Sequence, residues 1–88
     1  MIQETLKERI ERWKLLCETF VATNRRAFIK DYKDTWYSCD IIFVGESTLE
    51  IECFEPEDMK GERYSLFWAE IVSIVEYKKG GRNENQIG

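Results

Sequence analysis

The sequence predicts a mainly β fold: one N-terminal α-helix followed by a five-stranded, strongly bent antiparallel sheet that closes into a small barrel. Apolar residues recur at helical spacing near the N-terminus, and apolar and polar residues alternate over residues 36–53 as in a β-hairpin. A chain of 88 residues has room for one compact core. Because an open five-stranded sheet would expose one face and two edges, we expect closure.

The first predicted element is an amphipathic helix over about residues 4–21. Its charged face carries both signs, which favours packing against the sheet or a partner over lying on a membrane surface. Thr23 and Asn24 are expected to end the helix. The apolar face that predicts it follows steps of four, three, four and three positions: Leu6, Ile10, Trp13, Cys17 and Phe20.

The central predicted element is the hairpin of residues 36–53, with its turn at residues 45–47. With that turn the numbers of paired residues sum to 92, so Ile41 faces Ile51, Phe43 faces Leu49, and all four point into the core. The same register places Cys39 opposite Cys53, within disulfide range. Two reduced thiols packed as small apolar groups are the favoured interpretation, and a disulfide remains the alternative.

Three further strands complete the predicted sheet. The segment between the third and fourth strands holds a proline, a glycine and four acidic residues, which is typical of a solvated loop. The carboxylates of Glu55, Glu57, Asp58 and Glu62 in this loop match no known calcium-loop spacing. The remaining strands are predicted at residues 27–32, 63–68 and 71–77, with the acidic loop at 55–62, a single domain over 1–79 and a loose tail over 80–88.

Composition excludes several classes of function. The net charge of -4 argues against strong non-specific binding of nucleic acid. The chain has no histidine and shows neither a nucleophile elbow nor a phosphate-binding glycine loop, so we expect no enzymatic activity, cofactor, metal or small-molecule substrate. No apolar run approaches a membrane span, and no secretory signal is evident, so a cytoplasmic location is expected.

Two groups of residues are candidates for binding. If the first and fifth strands are antiparallel neighbours, Arg25 and Arg26 lie near Lys78 and Lys79, and with Lys30 they form a patch for RNA phosphates. Ordinary surface charge is the alternative interpretation.

The second group is aromatic. These side chains are candidates for a subunit interface, for ligand stacking or for the core: Tyr32, Trp36, Tyr64, Phe67, Trp68 and Tyr77, of which Trp36, Tyr64, Phe67 and Trp68 are the main candidates.

The predicted order of one helix and five strands, with a short turn before the last, resembles the Sm-like fold of Sm and Lsm proteins. The resemblance rests on residues 28–31, 36–44, 49–51 and 66–74. It implies a barrel that associates edge to edge through its fourth and fifth strands, and RNA binding. The family's uridine-binding residues have no counterparts here: Gly45-Glu46-Ser47-Thr48 and Trp68-Ala69-Glu70 occupy the corresponding positions.

Two functions are therefore expected from the sequence. The first is a small Sm-like module that binds RNA weakly and acts as a homo-oligomer. The alternative is a non-enzymatic assembly or adaptor module that binds another protein through its barrel edge or an exposed aromatic patch.

Overall fold

A computed structural model describes residues 4–78, which contain one α-helix and five β-strands. The predicted helix and strands are all present, with ends displaced by one or two residues. Two short 3₁₀ turns, Glu57–Met59 and Trp68–Glu70, flank the fourth strand. The elements are α1 (Leu6–Thr23), β1 (Ala27–Asp31), β2 (Trp36–Val44), β3 (Thr48–Glu55), β4 (Arg63–Phe67) and β5 (Ile71–Glu76). The predicted loose tail lies outside the described residues.

Helix α1 begins and ends at capping residues. The Thr5 hydroxyl accepts a hydrogen bond from the Glu8 backbone N–H at 3.1 Å, and the Glu8 carboxylate accepts one from the Thr5 N–H at 3.0 Å, which is a capping box. Asn24 ends the helix in the left-handed conformation, with φ of 60°. The face between these caps buries Trp13, Cys17 and Phe20.

The five strands form one antiparallel sheet in the order β4-β3-β2-β1-β5. The first and fifth strands are neighbours, as predicted. The predicted barrel is wrong, because β4 and β5 are the two edges of the sheet within residues 4–78 and do not pair with each other. Helix α1 packs against β2 and the Trp68–Glu70 turn. It therefore covers the inner face that closure was expected to bury.

The core lies between α1 and the inner face of the sheet. Its members are fully or nearly fully removed from solvent, so they supply most of the apolar burial that stabilises so small a domain. The largest fully buried side chains come from α1, four of the strands and the Trp68–Glu70 turn: Cys17, Ile29, Cys39, Leu49, Ile51, Cys53, Trp68 and Ile71.

No helix described between residues 4 and 78 is long and apolar enough to cross a membrane.

The β2–β3 hairpin follows the predicted register only in its middle, from Cys39 to Ile41, because the register also shifts between Ser38 and Cys39, where Ser38 pairs with Glu55. Cys39 pairs with Cys53 and Ile41 with Ile51, as predicted, and both thiols of the cysteine pair are free. Beyond a bulge at position 42 the pairs become Phe43 with Glu50 and Val44 with Leu49. The tight turn causes this shift, since Gly45 N–H donates to the Thr48 carbonyl at 2.9 Å and leaves only residues 46–47 between the strands.

Phe43 is consequently misplaced in the sequence-based prediction. Its side chain is 59% exposed, whereas Leu49 and Ile51 are fully buried and Ile41 packs against the core from its margin. A one-residue change of register reverses the face on which a strand residue lies. A bulge absorbs that change, so the inward residues on both sides of it still reach the core.

Candidate functional site

The predicted basic residues come together at one end of the sheet. Arg25 and Arg26 precede β1, and the Tyr77 N–H donates to the Arg26 carbonyl at 2.9 Å, which brings Lys78 to the same end. Lys79 lies outside the described residues. The pairing of β1 with β5 therefore provides the juxtaposition on which the phosphate-binding hypothesis depends.

Three of the predicted basic residues, Arg25, Arg26 and Lys30, already form ion pairs with carboxylates of this chain. Each pair is solvent-exposed, so its net stabilisation is small, but a phosphate must still compete with a carboxylate that is already in place. The patch therefore has little uncompensated positive charge. The nitrogen–oxygen distances are 3.3 Å for Arg25 with Glu76, 3.1 Å for Arg26 with Asp40 and 2.9 Å for Lys30 with Asp34.

A cleft of about 420 Å³ lies beside the segment that connects α1 to β1. Arg25 and Arg26 line it together with Glu55 and Glu76, and the ring of Phe54 forms part of its wall. The cleft therefore presents both signs of charge rather than a surface selective for anions.

Four aromatic rings, which we call the outer aromatic cluster, lie on the outer side of the sheet. Phe28 stacks on Trp36 with ring centroids 4.3 Å apart, and Tyr77 meets both Phe28 and Phe54 edge to face, at 6.4 and 4.9 Å. Trp36 remains 42% exposed. Of this cluster, Trp36 and Tyr77 are among the aromatic candidates predicted from sequence, whereas Phe28 and Phe54 are not. The available signal was that Phe28 and Phe54 occupy outward positions, where a sheet with one wet face carries polar residues.

Two cations lie over rings of the outer aromatic cluster. The Arg26 guanidinium carbon is 4.1 Å from the centroid of Phe54, and the Lys30 ammonium is 5.6 Å from that of Trp36. Together with Asp40 and Asp34, the rings hold these side chains against the sheet. The cluster thus has a positively charged rim whose charges are already engaged.

The other predicted aromatic residues do not share one surface. Trp68 is 2% exposed, and its indole N–H donates to the Gly45 carbonyl at 3.0 Å, so it belongs to the core and ties the hairpin tip to the turn after β4. Tyr64 is half-buried, with its ring centroid 5.2 Å from that of Tyr37. Phe67 is 56% exposed on β4.

The free edge of β4 presents main-chain groups to solvent. Alternate residues of β3 hydrogen-bond to opposite neighbours: Thr48 accepts from Gly45 on the β2 side, and Cys53 donates to Glu62 on the β4 side. Continuing that alternation through the β3–β4 register directs the N–H and C=O groups of Ser65 and Phe67 away from β3.

The free edge of β5 is similar. Because the Tyr77 N–H bonds to Arg26, alternation along the β1–β5 register directs the main-chain groups of Ile74 and Glu76 away from β1. Val72 and Val75 on this strand are 43% and 47% exposed. Neither β4 nor β5 contains the proline or lysine that commonly protects an edge from pairing.

Within residues 4–78, no group of three or more cysteine, aspartate and glutamate side chains is arranged so that it could hold a metal ion.

No protein-family model matches the chain, and comparison with curated proteins finds no significant match.

Proposed function

We propose that the protein is a non-enzymatic assembly module whose protomers associate by strand addition between β4 of one copy and β5 of the next. The observation that carries the proposal is the pair of free sheet edges, each with outward main-chain groups and exposed apolar side chains. Strand addition satisfies those groups and buries the apolar surface together.

Association of two different edges is heterologous, so each protomer uses one edge and offers the other to the next protomer. Such contacts close into a ring when the rotation between neighbours permits, and otherwise extend as a filament. The resemblance to Sm-like proteins supports the same choice of strands. The small size of the domain is a further reason to expect association: a chain of 88 residues buries only a modest core by itself, and association buries additional apolar surface.

Light scattering coupled to size-exclusion chromatography tests the proposal. The wild-type protein is expected to show a mass that is a multiple of the protomer. The Ser65 N–H points away from β3, so Ser65→Pro removes it without removing a hydrogen bond within the sheet. Proline is tolerated at such positions of an edge strand, and the expected product is a folded monomer. Ser65→Ala keeps the N–H and is the matched control, expected to oligomerise like the wild type.

A second variant tests the opposite edge. Val72→Lys places a solvated charge on β5 and is expected to yield monomers by a change in a different strand. Circular dichroism checks that each variant is folded. A wild-type mass equal to one protomer at high concentration, or oligomers that persist in both folded variants, would refute edge pairing.

The outer aromatic cluster favours a second candidate function, weak binding of single-stranded RNA. Exposed rings stack bases without sequence preference, and neighbouring Arg25, Arg26 and Lys30 offer phosphate contacts once their ion pairs open. RNA binding is expected at low salt only and is expected to weaken in Trp36→Leu. Phe43→Ser removes an exposed ring from outside the cluster and away from both sheet edges, and is the control. Unchanged binding by Trp36→Leu, or no binding at low salt, would exclude this function.

A further inference from the structure

We propose that Cys39 and Cys53 form a cross-strand disulfide when a low-molecular-weight disulfide, such as oxidised glutathione, is the oxidant. This modification site lies on the inner face of the β2–β3 hairpin and is independent of edge association. Both thiols are free and buried in the structure, and the two residues are direct partners across the antiparallel pair.

The hydrogen-bond pattern shows which kind of pair they form. Both main-chain groups of Cys53 bond away from β2: its N–H donates to Glu62 at 2.9 Å, and its carbonyl accepts from Gly61 at 2.8 Å. Cys39 and Cys53 are therefore a non-hydrogen-bonded pair. Cα atoms in such pairs are typically about 4.5 Å apart.

The usual Cα separation across a disulfide is about 4.4–6.8 Å, so the spacing typical of such a pair lies within the range that a bridge spans, at its short end. Their side chains lie on the same face of the sheet, because direct partners across an antiparallel pair point the same way. Ile41 and Ile51, the next pair on that face, keep the register that holds the two thiols opposite each other.

Cys17 is the third buried thiol, but it lies on a different element. It belongs to α1, which packs across the sheet rather than pairing with it, so no backbone register fixes it opposite either strand cysteine. Cys17 does lie near Cys39, since it is among the groups that raise the Cys39 pKa, but its position depends on side-chain packing between helix and sheet, whereas hydrogen-bonded strands hold Cys39 and Cys53 as direct partners. We therefore expect the bridge to join Cys39 and Cys53 selectively.

The reaction balances through two exchange steps. One cysteine thiolate attacks a sulfur of oxidised glutathione, which forms a mixed disulfide and releases one glutathione thiolate. The second cysteine, as its thiolate, attacks the protein sulfur of the mixed disulfide, forms the Sγ–Sγ bond and releases the second glutathione. The two protein thiols lose two electrons and two protons, and one glutathione disulfide is reduced to two glutathione molecules.

Burial controls the rate rather than the geometry of this reaction. Removal from water raises the pKa of Cys39, and the neighbouring Cys53 raises it further, so little thiolate is present at neutral pH. Both residues are at most 1% exposed. Oxidation therefore requires local opening of the hairpin, and mild denaturant is expected to accelerate it.

Peptide mapping after equilibration in glutathione redox buffer tests the proposal. Trypsin cleaves after Lys33 and Lys60, so Cys39 and Cys53 share the peptide of residues 34–60, whereas Cys17 lies on residues 15–25. The expected product is peptide 34–60 lighter by two hydrogen atoms, with Cys17 still alkylated. Samples are incubated with and without sub-denaturing urea, starting from both the reduced and the oxidised protein, so that slow opening does not mask the equilibrium.

Two variants provide the controls. Cys17→Ala is expected to retain the two-hydrogen loss in peptide 34–60, and Cys53→Ala is expected to abolish it. The bridged protein is expected to unfold at a higher urea concentration than the reduced protein. Three alkylated thiols at equilibrium from both starting states, or a bridge that joins residues 15–25 to 34–60, would overturn the proposal.

Discussion

At the scale of single residues, Asp31 is the one buried residue with a charged side chain in residues 4–78. It is 4% exposed at the end of β1. One carboxylate oxygen accepts from the N–H groups of Lys33 and Thr35 at 2.9 and 3.0 Å, and the other accepts from the Tyr37 hydroxyl at 3.1 Å. Asp31 thus holds the β1–β2 turn and connects it to the core.

Replacing Asp31 with alanine is expected to reduce the free energy of unfolding by about 2–4 kcal/mol, because three hydrogen bonds to a charged acceptor are lost together. Chemical denaturation measures the change. Asp58→Ala removes the same charge from an exposed position and is expected to change stability by less than about 0.5 kcal/mol. Equal stability of the two variants would contradict the role of Asp31.

Buried acids also predict a loss of stability in alkali. Burial raises the pKa of Cys17 from 9.0 to about 12, and burial together with the hydrogen bond to Asp31 raises the pKa of Tyr37 from 10.0 to about 12. Between pH 9 and pH 12 the unfolded chain loses protons that the folded chain retains on these two groups. Their contribution to the free energy of unfolding is therefore complete below pH 9 and is lost as pH rises towards 12.

Urea denaturation at several pH values checks this expectation. The midpoint is expected to fall between pH 9 and 12, and Tyr37→Phe is expected to fall less steeply above pH 10 although it is less stable at neutral pH. A midpoint that stays constant to pH 11.5 would contradict the burial of these groups.

At the scale of elements, the β2–β3 hairpin shows how far alternation predicts structure. Alternation identified Cys39, Ile41, Leu49, Ile51 and Cys53 as core-facing, and all pack in or against the core. It failed at Phe43, because hydrophobicity does not determine whether two or three residues form a turn. Gly45 is the local reason for the tight turn: a Cβ at this position would lie 2.9 Å from the Thr48 carbonyl oxygen.

A pair of substitutions tests this register. Leu49→Ala is expected to cost about 2–5 kcal/mol because it leaves a cavity in the core, whereas Phe43→Ala removes an exposed ring and is expected to cost less than about 1 kcal/mol. Denaturation curves give both values. A larger loss for Phe43→Ala than for Leu49→Ala would restore the register predicted from sequence.

Helix α1 was the most predictable element, because its periodic apolar face and the polar stop at Thr23-Asn24 can both be recognised within its own stretch of sequence. The outer aromatic cluster was less predictable. Its rings come from β1, β2, β3 and the residue after β5, so only the full strand order brings them together.

At the scale of the whole molecule, the number and order of elements were predicted correctly from the sequence, whereas the predicted closure into a barrel was wrong. Closure depends on how far β4 and β5 bend towards each other, which is a tertiary property that alternation within single strands does not encode, and α1 contacts both β2 and the Trp68–Glu70 turn between those two strands. The basic site was predicted in part for the same reason. Strand adjacency brought Arg26 close to Tyr77, but the partners Asp40 and Glu76 became evident only with the register.

Hydrogen exchange measured at two protein concentrations tests edge association most directly. The N–H groups of Ser65, Phe67, Ile74 and Glu76 face outward from the edges and are expected to exchange fast in dilute solution and slowly in concentrated solution. Those of Leu66 and Val75 bond within the sheet and are expected to be protected in both. Edge amides whose exchange is independent of protein concentration would contradict the proposed assembly.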